Sequence, residues 1–250
     1  MLVLGVDIGG TSIKAGLVDT QQGQLRSERL EIETPDPHPE NVILAVGSIV
    51  NRFKYNGPLG VGVPCVALDG RSRTPFAAYQ VQEWVGYPVA ERVREVTGCP
   101  TLLINDADAA GTAEIRFGAG QGQGGVVIVL TIGTGIGSAV FVDGALVPNT
   151  EFGHLYMRDQ RDVVENQVSE RARLLEGLSL GEWAARLNTL LNHLYRIFSP
   201  TLFILGGGIA ERGDFQTLIS TGCPVRIAQL GNSAGVIGCA LGAYAHVQGK

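Results

Sequence analysis

Short apolar runs and helical apolar stripes alternate along most of the chain. Residues 2–6 and 13–18 are apolar runs of strand length, joined by a polar, glycine-bearing stretch, which predicts a β-hairpin at the start. Val42, Ile43, Val46, Ile49, Val50 and Phe53 recur at helical spacing and stop before Asn56-Gly-Pro58, so a helix is expected to end there. Residues 59–63 read as a strand, 89–96 as a helix that Gly98 stops, 101–104 as a buried strand and 106 onward as another helix. Residues 126–130 read as a strand. Farther on, Ser179 and Glu182 have capping-box spacing, and Trp183, Leu187, Leu190, Leu194 and Ile197 share one face until Pro200 interrupts. Residues 202–205 form a strand that runs into Gly206, Gly207 and Gly208. Alternation of strands with helices places the chain in the α/β class.

The hairpin is echoed half a chain later. Asp7-IGGTSIKAGLV-Asp19 lines up without gaps against Thr131-IGTGIGSAVFV-Asp143, and both stretches join two apolar runs. Two similar halves, each opening on a glycine turn, predict two lobes facing across a cleft, where ligands usually sit.

Composition narrows the partners. Of 250 residues 35 are glycine, about twice the usual share of about 7%, yet they show neither the period of collagen nor the clustering of a linker. A net charge of -5 with no basic stripe argues against a nucleic-acid partner. No apolar run is long enough to span a membrane, and no signal peptide is visible at the start. Cys65, Cys99, Cys223 and Cys239 are too widely spaced for a zinc site or a disulfide framework, so reduced thiols in a cytoplasmic compartment are expected.

Three glycine turns are the first candidates for chemistry. Turns around Gly9 and Gly10, around Gly133 and Gly135, and at Gly206–Gly208 let backbone N–H groups approach an anion, or they simply make tight turns and close packing. Gly120 to Gly125 matches GxGxxG but precedes its strand instead of following one, so it is rejected as a dinucleotide fingerprint. No P-loop pattern occurs. Asn105 and Asp106 fall at the carboxyl end of a strand and the start of a helix, where α/β proteins present reactive groups, although capping is an equal use for Asp106. Glu151 and His154, with Gly153 between them, supply polar groups suited to the hydroxyls of a polyol. Any metal is expected to be Mg2+ held through carboxylate and phosphate oxygens.

Taken together, DIGGTSIK from Asp7, NDAD from Asn105, LTIGTGIGSA from Leu130, EFGH from Glu151 and LFILGGG from Leu202 resemble the ROK family of sugar kinases and repressors. The longer stretches look like its polyphosphate glucokinase branch. The chain lacks the cysteine-rich zinc motif that many ROK kinases carry after EFGH, and it begins directly on the hairpin strand without the DNA-binding segment of the repressors.

The resemblance implies an actin-like (ribonuclease H-like) two-lobed ATPase fold, with lobes expected at residues 1–105 and 106–250 and the last helix packing back on the first. It implies phosphoryl transfer to the 6-hydroxyl of glucose from polyphosphate or ATP with Mg2+. Asp106 would take the hydroxyl proton, and Asn105, Glu151 and His154 would hold the sugar. Asp7 would position Mg2+ directly or through water. Gly9, Gly10, Thr11, Lys14, Thr131, Gly133, Thr134 and Gly135 would meet the phosphates, and Gly206, Gly207 and Gly208 the nucleotide. A cytoplasmic homodimer is implied. Two residues depart from the branch: Tyr79 stands where a sugar-binding Asn is usual, and Cys65 where Gly is usual. They keep open a noncatalytic sugar-sensing or nucleotide-binding protein, or a kinase for mannose or an amino sugar.

Overall fold

The computed structural model describes residues 1–76, 80–157, 162–208 and 215–249. In chain order its elements are β1 (Leu2–Ile8), β2 (Ser12–Asp19), β3 (Gln24–Leu25), β4 (Leu30–Glu33), α1 (Pro39–Phe53), β5 (Leu59–Val63), β6 (Ala67–Leu68), β7 (Arg71–Ser72), α2 (Val89–Thr97), β8 (Thr101–Asn105), α3 (Asp106–Phe117), β9 (Val126–Ile132), β10 (Ile136–Val142), β11 (Ala145–Val147), α4 (Glu165–Val168), α5 (Glu170–Glu176), α6 (Leu180–Phe198), β12 (Leu202–Gly206), β13 (Val225–Ile227) and α7 (Ala234–Val247). The chain divides into two compact units, residues 1–113 with 233–250 and residues 114–232. One division falls inside α3, and the last helix belongs with the first unit.

In the first unit β1 and β2 form the expected hairpin, and β5 and β8 continue the sheet in parallel on the far side of β1. The strand order is β3-β2-β1-β5-β8, with β4 also on β2. All five residues of β5 are buried, as a strand covered on both faces requires. Val42, Ile43, Val46 and Ile49 of α1 and Val89 and Val93 of α2 join Leu4, Val6, Val61 and Val63 in one core. Helix α7 packs on β1 and β5. It lies so close that a Cβ on Gly5 would come within 2.0 Å of the Val236 carbonyl, and one on Gly60 within 1.9 Å of that of Cys239. Those two glycines set the height of α7 over the sheet.

The second unit repeats the plan. Its sheet runs β11-β10-β9-β12-β13, with an antiparallel hairpin followed by parallel strands beyond its first strand. The predicted stripe of α6 is buried through Trp183, Leu187, Leu190 and Leu194 against Ile128, Leu130 and Phe203. Ser179 and Glu182 form the capping box read from their spacing. Truncating one of these leucines to alanine would cost about 2–5 kcal/mol.

Candidate active site

In the first unit the carboxyl ends of β1, β5 and β8 gather the predicted groups. Asp7 pairs in register with Gly62, and Val63 pairs with Asn105. The Asp7 carboxyl packs against α7: a Cβ on Gly235 would lie 2.3 Å from its Oδ2. Part of the residue stays exposed, but burial of the carboxyl, opposed by the charge of Lys14, pushes its pKa up to about 6. Lys14 lies directly opposite Asp7 on one side and Glu31 on the other, so the three charges form a row on one face of the sheet. Glu31 accepts the Ser12 hydroxyl at 2.8 Å and pairs with Arg29 at 3.1 Å. The Ser12 bond, opposed by desolvation and helped by Lys14 and Arg29, lowers its pKa.

The first turn is fastened from outside. Gly9 N–H donates to Ser12 O at 3.0 Å, Thr34 N–H to Thr11 O at 3.0 Å, and the Thr34 hydroxyl to Gly9 O at 2.7 Å. No pattern within the motif marks Thr34, which lies 25 residues along the chain from Gly9.

At the start of α3 Asn105 is the main cap, although Asp106 Oδ1 also accepts the Ala107 N–H at 2.8 Å. Asn105 Oδ1 accepts the N–H groups of Ala107 at 2.9 Å and Asp108 at 3.0 Å, while its Nδ2 donates to Cys65 O at 3.2 Å. These bonds hold the peptide that carries Asp106. Asp7 in β1 and Asn105 at the end of β8 pair with Gly62 and Val63 of β5, so Asp7 and Asp106 lie at the carboxyl ends of strands on either side of β5. Burial, and then the charges of Asp7 and Asp106, raise the Cys239 thiol well above its ordinary pKa. The Cys65 side chain is 2% exposed and donates weakly to Pro75 O, so its bulk is taken up in the core. Tyr79 lies outside the described residues.

In the second unit the turn between β9 and β10 carries Gly133, Thr134 and Gly135, and Thr131 at the end of β9 pairs with Gly206. Gly207 has φ +82° and presses on Ile132, where a Cβ would meet backbone at 2.4 Å; the glycine run thus stands beside the second turn. Glu151 precedes a single 3-10 turn over Phe152–His154. Ser138 of β10 positions it by donating to Thr150 O at 2.5 Å and accepting Phe152 N–H at 3.0 Å. Burial raises the Glu151 pKa, His154 lowers it and Glu165 raises it further.

Glu165 is the residue that sequence reasoning missed here. It accepts Ile136 N–H at 2.9 Å and lies against Gly135 and Gly153, where added Cβ atoms would sit 2.4 Å and 3.4 Å from its Oε2. Gly133 O accepts from Glu170 N at 3.0 Å and Arg171 N at 3.4 Å. Its only sequence signal is its carboxylate, 14 positions beyond Glu151 and across residues without pattern. Among the described residues no three His, Cys, Asp or Glu side chains form a metal-holding group. A lone Asp7 carboxylate, packed beside glycine, instead suits an ion that takes one or two protein ligands and completes its shell with water and phosphate, as Mg2+ does.

Comparison with known proteins follows the same residues. The ROK family profile matches residues 3–168. The polyphosphate glucokinase of Mycobacterium tuberculosis (strain CDC 1551 / Oshkosh) is 39% identical over 96% of this chain and 91% of its own. The inorganic polyphosphate/ATP-glucomannokinase structure from Arthrobacter sp. strain KM superposes with TM-score 0.92 at 39% identity, covering 98% of this chain and 99% of that one. A ROK family glucokinase from Streptomyces griseus, solved with glucose and AMPPNP, gives TM-score 0.81 at 27% identity over 96% and 98% of the two chains. The fold is the two-lobed actin-like ATPase fold of these sugar kinases, and the chain belongs to the ROK family.

Proposed function

We propose that this protein transfers a phosphoryl group from inorganic polyphosphate or ATP to the 6-hydroxyl of glucose. The observation that carries the reading is the placement of Asp7 and Asp106 at the carboxyl ends of β1 and β8, on either side of β5, in a chain that matches polyphosphate glucokinases over 96% of its length. Kinases at this identity favour turnover over a noncatalytic sensor.

Asp106 accepts the proton of the attacking hydroxyl. A weak carboxylate base is adequate for this, because a loose transition state needs positioning and charge neutralisation more than early deprotonation. Glu151 and His154 hold sugar hydroxyls, with Asn105 and with Tyr79. Lys14 and the amides of Gly9, Gly10, Thr11, Gly133, Thr134 and Gly135, with Thr131, neutralise the phosphates. Gly206, Gly207 and Gly208 pass beside the nucleotide when ATP is the donor. Asp7 would hold Mg2+, directly or through water, and that ion would supply charge neutralisation to the transferring group.

A donor-by-acceptor matrix tests the reading, with polyphosphate and ATP against glucose, mannose and an amino sugar; mannose is included because the Arthrobacter neighbour is named for both hexoses. Sugar 6-phosphate from glucose is expected, and none with any pair overturns it. Asp106→Asn is expected to lose about 10²–10⁴ in turnover while retaining glucose binding. Full activity in that variant removes Asp106 as the base. We further read the protein as a homodimer, as the family resemblance implies, and as cytoplasmic, in keeping with four free cysteines; a net charge of -5 argues against a nucleic-acid partner, and no helix among the described residues is long and apolar enough to cross a membrane.

A further inference from the structure

The chain passes between its two compact units twice, outward at residues 113–114 and back at 232–233. Glu114 is the first residue beyond the outward passage, and Gln229 and Leu230 stand just before the return. Sheet bonding on the return side ends at Ala228, whose N–H donates to Leu205 O at 2.9 Å. The next two N–H groups both go to Glu114: Gln229 donates to its Oε2 at 3.1 Å and Leu230 to its Oε1 at 2.7 Å. Oε2 also accepts the Ala119 N–H at 2.9 Å, and Arg226 of β13 closes the ring by donating to Ala119 O at 2.8 Å. Every bond of this ring lies within the second unit. Glu114 is 1% exposed, and a charge buried this deeply needs strong partners, which three backbone donors supply. Gly118 makes room for it, since a Cβ there would lie 2.1 Å from Oε2. Within the first unit α3 and α7, the helices at the two passages, meet backbone to backbone: a Cβ on Gly238 would lie 1.7 Å from Ala109 O.

We propose that Glu114 is a positioning residue that fastens both passages to the second unit as one anchor. The catalytic groups assigned above are divided between the units, so what joins the passages governs how often the groups stand together productively. Without the carboxylate the return passage is released from the outward one, and the productive arrangement becomes one among more conformations. Each unit keeps its own core. The proposal rests on the phosphoryl-transfer reading.

Glu114→Ala removes the acceptor for all three N–H groups. Per folded molecule, kcat/KM for glucose and kcat/KM for the donor, ATP or polyphosphate with Mg2+, are expected to fall by a similar factor of about ten, because a smaller productive fraction reduces both alike. A residue that served one substrate's site would move one of them, and a purely structural residue neither. Amide hydrogen exchange on the unliganded protein gives a second readout: Gln229 and Leu230 exchange about tenfold or more faster in Glu114→Ala, while β12 stays within about twofold. Glu114→Gln, which keeps one acceptor oxygen, is expected to fall between wild type and Ala in both, and it carries both measurements should Ala not fold. Unchanged kcat/KM per folded molecule, a loss confined to one substrate, unchanged exchange at Gln229 and Leu230, or exchange equally accelerated in β12 overturns the proposal. If the wild-type protein transfers phosphate to no sugar, the functional reading fails, and the exchange at Gln229 and Leu230 alone decides whether the anchor exists.

Discussion

In the first hairpin, paired Ile8 and Ile13 enclose the four residues Gly9, Gly10, Thr11 and Ser12; in the second, paired Ile132 and Ile136 enclose only Gly133, Thr134 and Gly135. The ungapped sequence echo therefore slips by one position after the turn. By strand pairing Lys14 corresponds to Gly137 and not to Ser138, so the Asp7–Lys14 pair of the first hairpin is matched by Thr131 and Gly137 in the second. The charged turn is held by β4 and Thr34, and the uncharged one by Glu165 and the backbone at the start of α5. A shared backbone plan thus carries ionic groups on one copy and mainly amides on the other. Similar glycine motifs are not evidence of similar electrostatics.

Neutralising the charged turn has the largest expected effect. Asp7→Asn keeps the side chain's shape, and turnover is expected to fall about a hundredfold or more, whereas Thr131→Val costs less than about tenfold. Burial makes the ionised Asp7 carboxyl costly at neutral pH. After allowance for solvent beside the partly exposed residue, removing the charge is worth about 1 kcal/mol, and Tm rises by about 2–4 °C. Equal kcat losses at the two positions would erase the asymmetry.

The hydrophobic pattern made the sheets, α1, α6 and the turns legible, because each depends on neighbours within a few residues. What it left out depends on distant ones. Asp106 looked as suited to capping as to chemistry; most of the capping falls to Asn105, which the Cys65 carbonyl orients from 40 residues away, while Asp106 accepts the Ala107 N–H. Thr34 and Glu165 reach their turns across 25 and 29 residues, and neither sits in a repeated pattern. Cys65 departs from the usual Gly, and the burial of its thiol beside the Pro75 carbonyl depends on side-chain direction, which the sequence pattern does not carry. The register slip was hidden because a glycine-rich turn tolerates one residue more or less without disturbing the apolar runs on either side.

The brace on the uncharged turn gives an intermediate effect. Glu165→Ala leaves Ile136 N–H without its acceptor and is expected to cost about 1–3 kcal/mol, read as a lower Tm, with a higher KM for glucose because Gly135 and Gly153 lose the same support. Glu165→Gln, which retains an acceptor, should keep most of the stability, and a Gln variant as damaged as Ala would show that charge matters more than the bond.

Glu165 also acts on Glu151 through charge. The raised pKa of Glu151 means that the protonated form suits the folded protein; that contribution is fully present below the ordinary Glu value and is lost as pH rises through the raised one. Glu151→Gln should therefore be the more stable protein at neutral pH. Sugar binding runs the other way, since the ionised form accepts hydroxyls. The glucose KM is expected to rise on acidification at a pH above the ordinary carboxylate range, and Glu165→Gln should move that inflection downward. A KM profile unchanged by Glu165→Gln would separate the two carboxylates.

The smallest effect tests whether the charged row of the first turn is tuned as well as present. Glu31 balances Lys14 from the strand opposite Asp7, and Glu31→Gln keeps an acceptor for the Ser12 hydroxyl while removing the charge. With less of its charge offset, Lys14 should attract a polyanion more strongly, and the polyphosphate KM should fall about twofold at low ionic strength. ATP, with fewer charges, should respond less, and salt should abolish the difference. The second turn has no charge to tune at the position matching Lys14, so the whole change is assigned to the first. A KM that rises, or a fall that persists in high salt, would make Glu31 a fastener of the Ser12 end of the turn and leave the setting of Lys14 to Asp7 alone.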